Sequence, residues 1–202
     1  KMKLNKLDVI ELLNRFKLPT VNILNLSEVL KGNINISSGV SVRLSPRDKK
    51  AGWNVYLPSL HNCTDIAEIK KFIEKHAEYD AFIHYTVKPE IIGSISKIES
   101  NNEIVIETFK SFEDRNNGII NNRIKIPIVS GKIWTSKSII LKSDKNDFMY
   151  FMKVITMLNG FPFQQYDMEY VIQNKEIIFT DLTIPDSREY NSYKAFRIDE
   201  DR

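Results

Sequence analysis

Cysteine occurs once in these 202 residues, at Cys63, so no disulfide can form within the chain. Apolar runs long enough to span a bilayer are missing, as is the pattern of a cleaved signal peptide. Together with the single thiol this leads us to expect a cytoplasmic protein without a membrane partner. Charge of one sign is not concentrated anywhere: 29 Lys and Arg stand against 26 Asp and Glu, for a net charge of +3. The lysines are scattered among acids instead of forming a stripe with exposed aromatics, so nothing supports nucleic-acid binding. Zinc-ligand spacings and internal repeats are absent as well.

What is present is a foldable composition. Apolar residues make up 42% of the chain, enough for a full core in one domain or in two closely packed lobes. Periodicity predicts an amphipathic helix from Lys6 to Arg15 and strands over Val21–Leu24 and Val40–Leu44. A second helix from Ile66 to Lys75 is predicted, capped by Asp65, with Ile66, Ile69, Phe72 and Ile73 as its apolar stripe. Strands then dominate: Ala81–Val87, Ile91–Ile98, Glu103–Phe109, Arg123–Val129 and Ile133–Leu141. The longest helix starts at Ser143 or Asp144 and ends at Gly160, burying Phe148, Phe151, Met152, Ile155 and Leu158. Helices mixed with antiparallel strands point to an α+β fold. The expected organisation is an N-terminal lobe over 1–78, a second lobe over 79–185 and a peripheral polar tail over 186–202.

The runs MEYVIQ and EIIFTDL around Asn174-Lys175 predict a closing hairpin, although no glycine supplies positive φ in the turn. Glu169 and Asp181 then fall roughly opposite each other at an even separation, which suggests a shared face. Like charges opposed in a sheet are destabilising unless a cation lies between them. Mg²⁺, commonly held by one or two carboxylates plus substrate phosphates, fits that requirement; the alternative is a solvated face with two unrelated acids. Arg43, expected at the end of an apolar strand, offers a fork of donors suited to phosphate oxygens or, structurally, to a carboxylate. His84, within a strand, is more often a core or hinge residue than a phosphotransfer histidine. His61 and His76 read as surface residues, and Cys63 as a small packed residue with no His/Asn partner pattern. Trp53 and Trp134 more often pack than bind a base.

Several of these segments carry a resemblance. The run GFPFQQYDMEYVIQNKEIIFTDLTIP, from Gly160 to Pro185, resembles the end of the ATP-binding domain of pyruvate phosphate dikinase and phosphoenolpyruvate synthase, an ATP-grasp domain. Gly39 to Ser45 (GVSVRLS) looks like that family's AVRSSA strand. Lys6 precedes Pro19 as the family's opening lysine precedes its proline, and Ala81 to Val87 followed by Gly93-Ser94-Ile95 looks like its adenine hinge. Glu103 to Glu107 and Val129 to Lys132 match two further short blocks. The resemblance runs from about Lys6 to about Pro185, and the order of the blocks is its evidence.

It implies an ATP-grasp-like α+β fold, two small lobes around a nucleotide cleft, mostly of antiparallel sheet. It further implies ATP and Mg²⁺ as cofactors and phosphoryl transfer to an acceptor on an unidentified partner protein or domain. Lys6 and Arg43 would hold phosphates and act catalytically. His84, Val87 and Glu107 would line the nucleotide, while Glu169 and Asp181 would hold the metal. The ligases that share the fold make carboxylate activation an alternative. A module that has lost catalysis is another, because the sequence departs from the pattern. Leu4 and Asn5 stand in place of two glycines, Thr108 to Glu113 replace a glycine-rich loop, and Thr183 replaces an arginine. Glycine loops let backbone N–H groups approach phosphates closely. Arg47, Lys49 and Lys50, in a shortened loop after the arginine strand, are candidate replacements as donors.

Overall fold

A computed structural model describes residues 2–47, 57–98, 102–129, 132–133, 139–142 and 145–184. It divides into two compact units. The first comprises Leu4–Ile92 and Tyr170–Asp181; the second comprises Lys1–Lys3, Gly93–Glu169 and Leu182–Arg202.

Strand β1 (Met2–Lys3) leads into helix α1 (Lys6–Arg15). The Asn5 side chain accepts from the Asp8 N–H, and its own amide donates to the Asp8 carboxylate at 2.7 Å, so cap and first turn satisfy each other. Val9, Ile10 and Leu13 form the buried stripe that periodicity predicts. The helix ends in a paired closure: Lys17 donates to Asn14 and Leu18 to Leu13, with Lys17 at φ 57 where glycine is usual.

Next come β2 (Ile23–Leu24), α2 (Leu26–Leu30), β3 (Val40–Pro46), β4 (Ser59–Cys63), α3 (Ile66–Lys75) and β5 (Tyr79–Tyr85). Four strands make one antiparallel sheet in the order β2-β5-β3-β4. Alternation sorts its two faces. Val40 and Val42 on β3, Ile83 on β5 and Cys63 on β4 join Val29 of α2, Ile36 and Ile69 of α3 in one apolar cluster. The other face carries Ser41, Arg43 and Ser45, opposite His84, Phe82 and Asp80. Asp65 caps α3 as expected, accepting from the Ala67 N–H at 2.8 Å. Tyr79, the expected lobe boundary, is the first residue of a strand central to this sheet.

The second unit contains most of β6 (Ile91–Ile98), followed by β7 (Glu103–Phe109), α4 (Phe112–Asn116), β8 (Asn122–Val129), β9 (Lys132–Ile133), β10 (Ile139–Lys142) and α5 (Lys145–Met157). The two ends of the predicted strand Ile133–Leu141 fall in β9 and β10, and 134–138 lie outside the described residues. Both pair with β8. Phe151, Ile155 and Leu158 are buried as predicted, joined by Val154. After a 3-10 turn at Phe163–Gln165 come β11 (Asp167–Gln173) and β12 (Glu176–Ile184). The larger sheet runs β1-β12-β11-β6-β7-β8-β10, with β9 on β8.

The hairpin turn forms where the sequence places it. Asn174 (φ 52) and Lys175 (φ 64) are both left-handed, the signature of a type I′ turn. Glu90 accepts from the Asn174 N–H at 2.8 Å and fixes the turn.

Trp53, Trp134, Lys49, Lys50 and the whole tail 186–202 lie outside the described residues.

Candidate functional site

Lys6 is the first residue of α1, and the Asn5 cap fixes the direction in which its side chain leaves the helix. Its ammonium lies 2.8 Å from Asp181 Oδ2 and donates to the Thr180 carbonyl at 2.9 Å. Asp181 is nearly inaccessible, its side chain 2% exposed, whereas that of Lys6 is 29% exposed. A carboxylate withdrawn from water needs a partner, and a lysine 175 positions away in sequence supplies it. The strand that carries Asp181 is tied to the segment after α1: Phe179 N–H donates to the Pro19 carbonyl at 2.8 Å, and Thr20 Oγ1 donates to the Phe179 carbonyl at 2.9 Å.

Arg43 sits in the middle of β3, not at its end, because Ser45 and Pro46 remain paired with Asp80 and Tyr79. Beside it, His84 is buried and its Nδ1 lies 2.7 Å from the Tyr85 carbonyl oxygen, as expected for Nδ1–H donating. Burial holds the His84 pKa below its ordinary value, opposed by the bond to Tyr85 and reinforced by the charges of Arg43, His61 and Lys6. The same face holds a hydroxyl–imidazole network: His61 lies 2.9 Å from Ser59 Oγ and 3.5 Å from Ser41 Oγ, and Ser41 lies 2.9 Å from Thr86 Oγ1. Sequence reading took His61 for a surface residue; its ring is exposed but engaged on both nitrogens. Burial, then Arg43, lowers its pKa too.

The remaining expected residues have other partners. Arg115 grips Glu169 with both guanidinium nitrogens, NH1 at 2.9 Å from Oε2 and NH2 closer still to Oε1. Nothing in the sequence flagged Arg115. It lies on α4, which begins at the end of the Thr108–Glu113 segment that replaces the family's glycine-rich loop and is capped by Ser111. Glu107 accepts from Arg123 Nε at 2.6 Å, its register partner on β8. Val87 is half-buried in the loop after β5. Arg47 donates to Asp80 at 3.3 Å and to the Ala77 carbonyl at 2.6 Å, which engages the guanidinium that the sequence offered as a phosphate donor. Cys63 is buried, and burial pushes its thiol pKa up, which leaves it an unreactive packing residue.

The turn also bears on the acidic pair. With a two-residue loop, Gln173 faces Glu176 and Tyr170 faces Phe179, whose rings are 6.1 Å apart. Opposed residues are then an odd number apart, so the even separation of Glu169 and Asp181 does not itself put them on one face. The two acids also belong to different compact units. Among the described residues no group of three or more His, Cys, Asp or Glu is arranged to hold a metal. Nor, among those residues, is any helix long and apolar enough to cross a membrane.

No family model matches the chain, and no curated protein matches it either. Solved structures do. The chain is similar to the ADP complex of purK, an N5-carboxyaminoimidazole ribonucleotide synthetase, at 10% identity and TM-score 0.50, covering 95% of this chain and 47% of that one. It is similar to PH1788 from Pyrococcus horikoshii at 13% identity and TM-score 0.51, covering 92% of each chain. D-alanyl-alanine synthetase A from Vibrio cholerae matches at 11% identity and TM-score 0.50, over 89% of this chain and 55% of that one. The chain thus spans about half the length of the two synthetases. With two antiparallel sheets, mixed helices and this set of neighbours, the chain has the α+β ATP-grasp fold.

Proposed function

We propose that the chain binds ATP and supports its use in activating a carboxylate, as an ATP-dependent ligase does, with Lys6 and Arg43 holding phosphate oxygens. The observation that carries this reading is a pair of cations within the first unit: Lys6 at the start of α1, held by Asp181 at 2.8 Å, and Arg43 on the polar face of β3, the face that also carries His84. A fixed guanidinium and an ammonium in a partly dry setting provide charge-assisted donors for an anion such as a triphosphate. Lys6 is already oriented by Asp181 and Thr180, which limits the reorganisation needed when a phosphate arrives. The names of the two synthetases favour carboxylate activation over phosphoryl transfer to a histidine. A magnesium ion bound with nucleotide phosphates requires only one or two carboxylates, and Asp181 is the carboxylate beside Lys6 that would serve. Such an ion would screen phosphate charge. The chain's own residues bind and orient the nucleotide.

The test is calorimetric ATP titration with and without Mg²⁺. Arg43→Ala should weaken binding by about 1.5–3 kcal/mol, the scale of a hydrogen bond to a charged group, with little loss of thermal stability. Unchanged affinity with a large loss of stability would make Arg43 structural. Hydroxylamine trapping of an acyl phosphate, with release of ADP in the presence of a carboxylic acid, separates a ligase from a phosphotransferase. A second reading, a nucleotide-binding module without turnover, is favoured by the absence of glycine from Thr108–Glu113, the segment that replaces the family's glycine-rich loop and leads into α4. Binding without ADP release under every acceptor tested would establish it.

A further inference from the structure

The polar face of the four-stranded sheet holds a chain of groups that phosphate binding does not account for. Ser59 and His61 are two apart on β4, so their side chains leave the same side of the strand, and the Ser59 hydroxyl lies 2.9 Å from His61 Nε2. On the far side of the ring, Nδ1 lies 3.5 Å from Ser41 Oγ, which lies 2.9 Å from Thr86 Oγ1. Thr86 in turn accepts from the Asn62 N–H at 3.1 Å. One consistent assignment runs through all five groups. Ser59 donates to Nε2, Nδ1–H donates to Ser41, and Ser41 donates to Thr86; the proton positions follow from the partners. Ser41, in the middle of this relay, is 2% exposed, while the Ser59 end is half-buried. Arg43 is the register partner of Ser59 on the adjacent strand. Paired Cα atoms in an antiparallel ladder stand about 5 Å apart, so the guanidinium lies within reach of any group attached to the Ser59 oxygen.

We propose that Ser59 is a phosphoryl acceptor, modified by the phosphoryl donor that Arg43 helps to hold, with His61 as the base. The inference rests on the nucleotide-binding reading above for its donor. In the step, Ser59 Oγ forms a bond to the γ-phosphorus of ATP, and the bond from that phosphorus to the bridging oxygen breaks, so ADP leaves. The hydroxyl proton passes to His61 Nε2, and the imidazolium charge is relieved by loss of that proton to solvent. A neutral imidazole is required at the outset, and partial desolvation followed by the Arg43 charge lowers the His61 pKa in that direction. The positive charge of Arg43 selects an anionic electrophile over a neutral ester and would then pair with the phosphoserine dianion.

The experiment incubates the full chain with ATP and Mg²⁺, and in parallel with acetyl phosphate as a small phosphoryl donor, followed by intact-mass and peptide mass spectrometry. ATP binding by the wild-type chain is measured separately by calorimetry. The expected result is one added phosphate, mapped to Ser59 and absent from Ser59→Ala. Labelling should be about 100-fold slower in His61→Gln, the usual scale of a lost general base, while circular dichroism shows that both variants fold. If ATP binds but no phosphate reaches Ser59, the acceptor role is overturned and the nucleotide reading survives. If ATP does not bind, the nucleotide reading fails. Labelling of Ser59 by acetyl phosphate would then still uphold the Ser59–His61 pair, and its absence would overturn it. Labelling at full rate in His61→Gln would remove the base from the step.

Discussion

Both units contain ion pairs between elements, the exposed Arg47–Asp80 pair of the first among them, but the pairs differ in how far they are removed from water. In the first unit, Lys6 meets an Asp181 side chain that is 2% exposed. In the second, Arg115 and Glu169 are 30% and 28% exposed, and Arg123 and Glu107 are 36% and 20% exposed. Desolvation decides what each pair contributes. A buried carboxylate stripped of its cation cannot recover hydration, whereas a half-exposed one turns to water. The better-shaped pair is therefore not the more consequential one: Arg115 holds Glu169 through both nitrogens, yet Lys6 faces the more deeply buried carboxylate.

The largest expected effect follows directly. Lys6→Met keeps the apolar stem and removes the charge, and should cost about 3–5 kcal/mol in urea unfolding because Asp181 stays buried while losing the Lys6 ammonium. Adding Asp181→Asn to that variant should restore most of the loss. A loss below about 1 kcal/mol would show that Asp181 is hydrated and would erase the contrast between units.

Next in size is an acid-side slope from the first unit. The His84 pKa is lowered on folding, so the unfolded chain binds its proton first. Stability contributed by neutral His84 is therefore complete above the unfolded value of 6.5 and declines as pH falls from there through the folded pKa. The slope is at most about 1.4 kcal/mol per pH unit for one proton. Chemical denaturation across that range should show the slope in the wild type and a shallower one in His84→Gln. His61, shifted the same way, supplies the remainder. An identical slope in the variant would assign it elsewhere.

Arg115→Met tests the exposed side of the comparison and should cost about 1 kcal/mol, the upper range for a surface pair. A loss matching that of Lys6→Met would mean that exposure does not rank these pairs. The smallest effect is in the hairpin. Lys175 holds φ 64 without being glycine, and Lys175→Gly should stabilise the chain by up to about 1 kcal/mol, read as a shift in melting temperature. Destabilisation would show that the lysine stem contributes packing that outweighs its backbone strain.

Local chemistry made much of this architecture legible. The Asn5–Lys6 helix start, the Asp65 cap, the apolar stripe of α1 and the left-handed turn at Asn174-Lys175 depend on neighbours within a few residues, so the sequence alone specified them. The strand that carries Arg43 was legible as an apolar run, while its pairing with β5 shows Ser41, Arg43 and Ser45 together on the face opposite Val40 and Val42. The ATP-grasp fold likewise followed from short blocks in a fixed order.

Other features are decided by register and distance, which no local pattern encodes. That Lys6 pairs with Asp181, Arg115 with Glu169 and Arg123 with Glu107 depends on how strands far apart in sequence are aligned. A two-residue turn fixed the parity that the separation of Glu169 and Asp181 left open, since shifting register by one residue exchanges the faces of a whole strand. His61 looked like a solvated histidine because its two hydroxyl partners, Ser59 and Ser41, come from adjacent strands, and only the pairing of β3 with β4 brings the second of them to its ring.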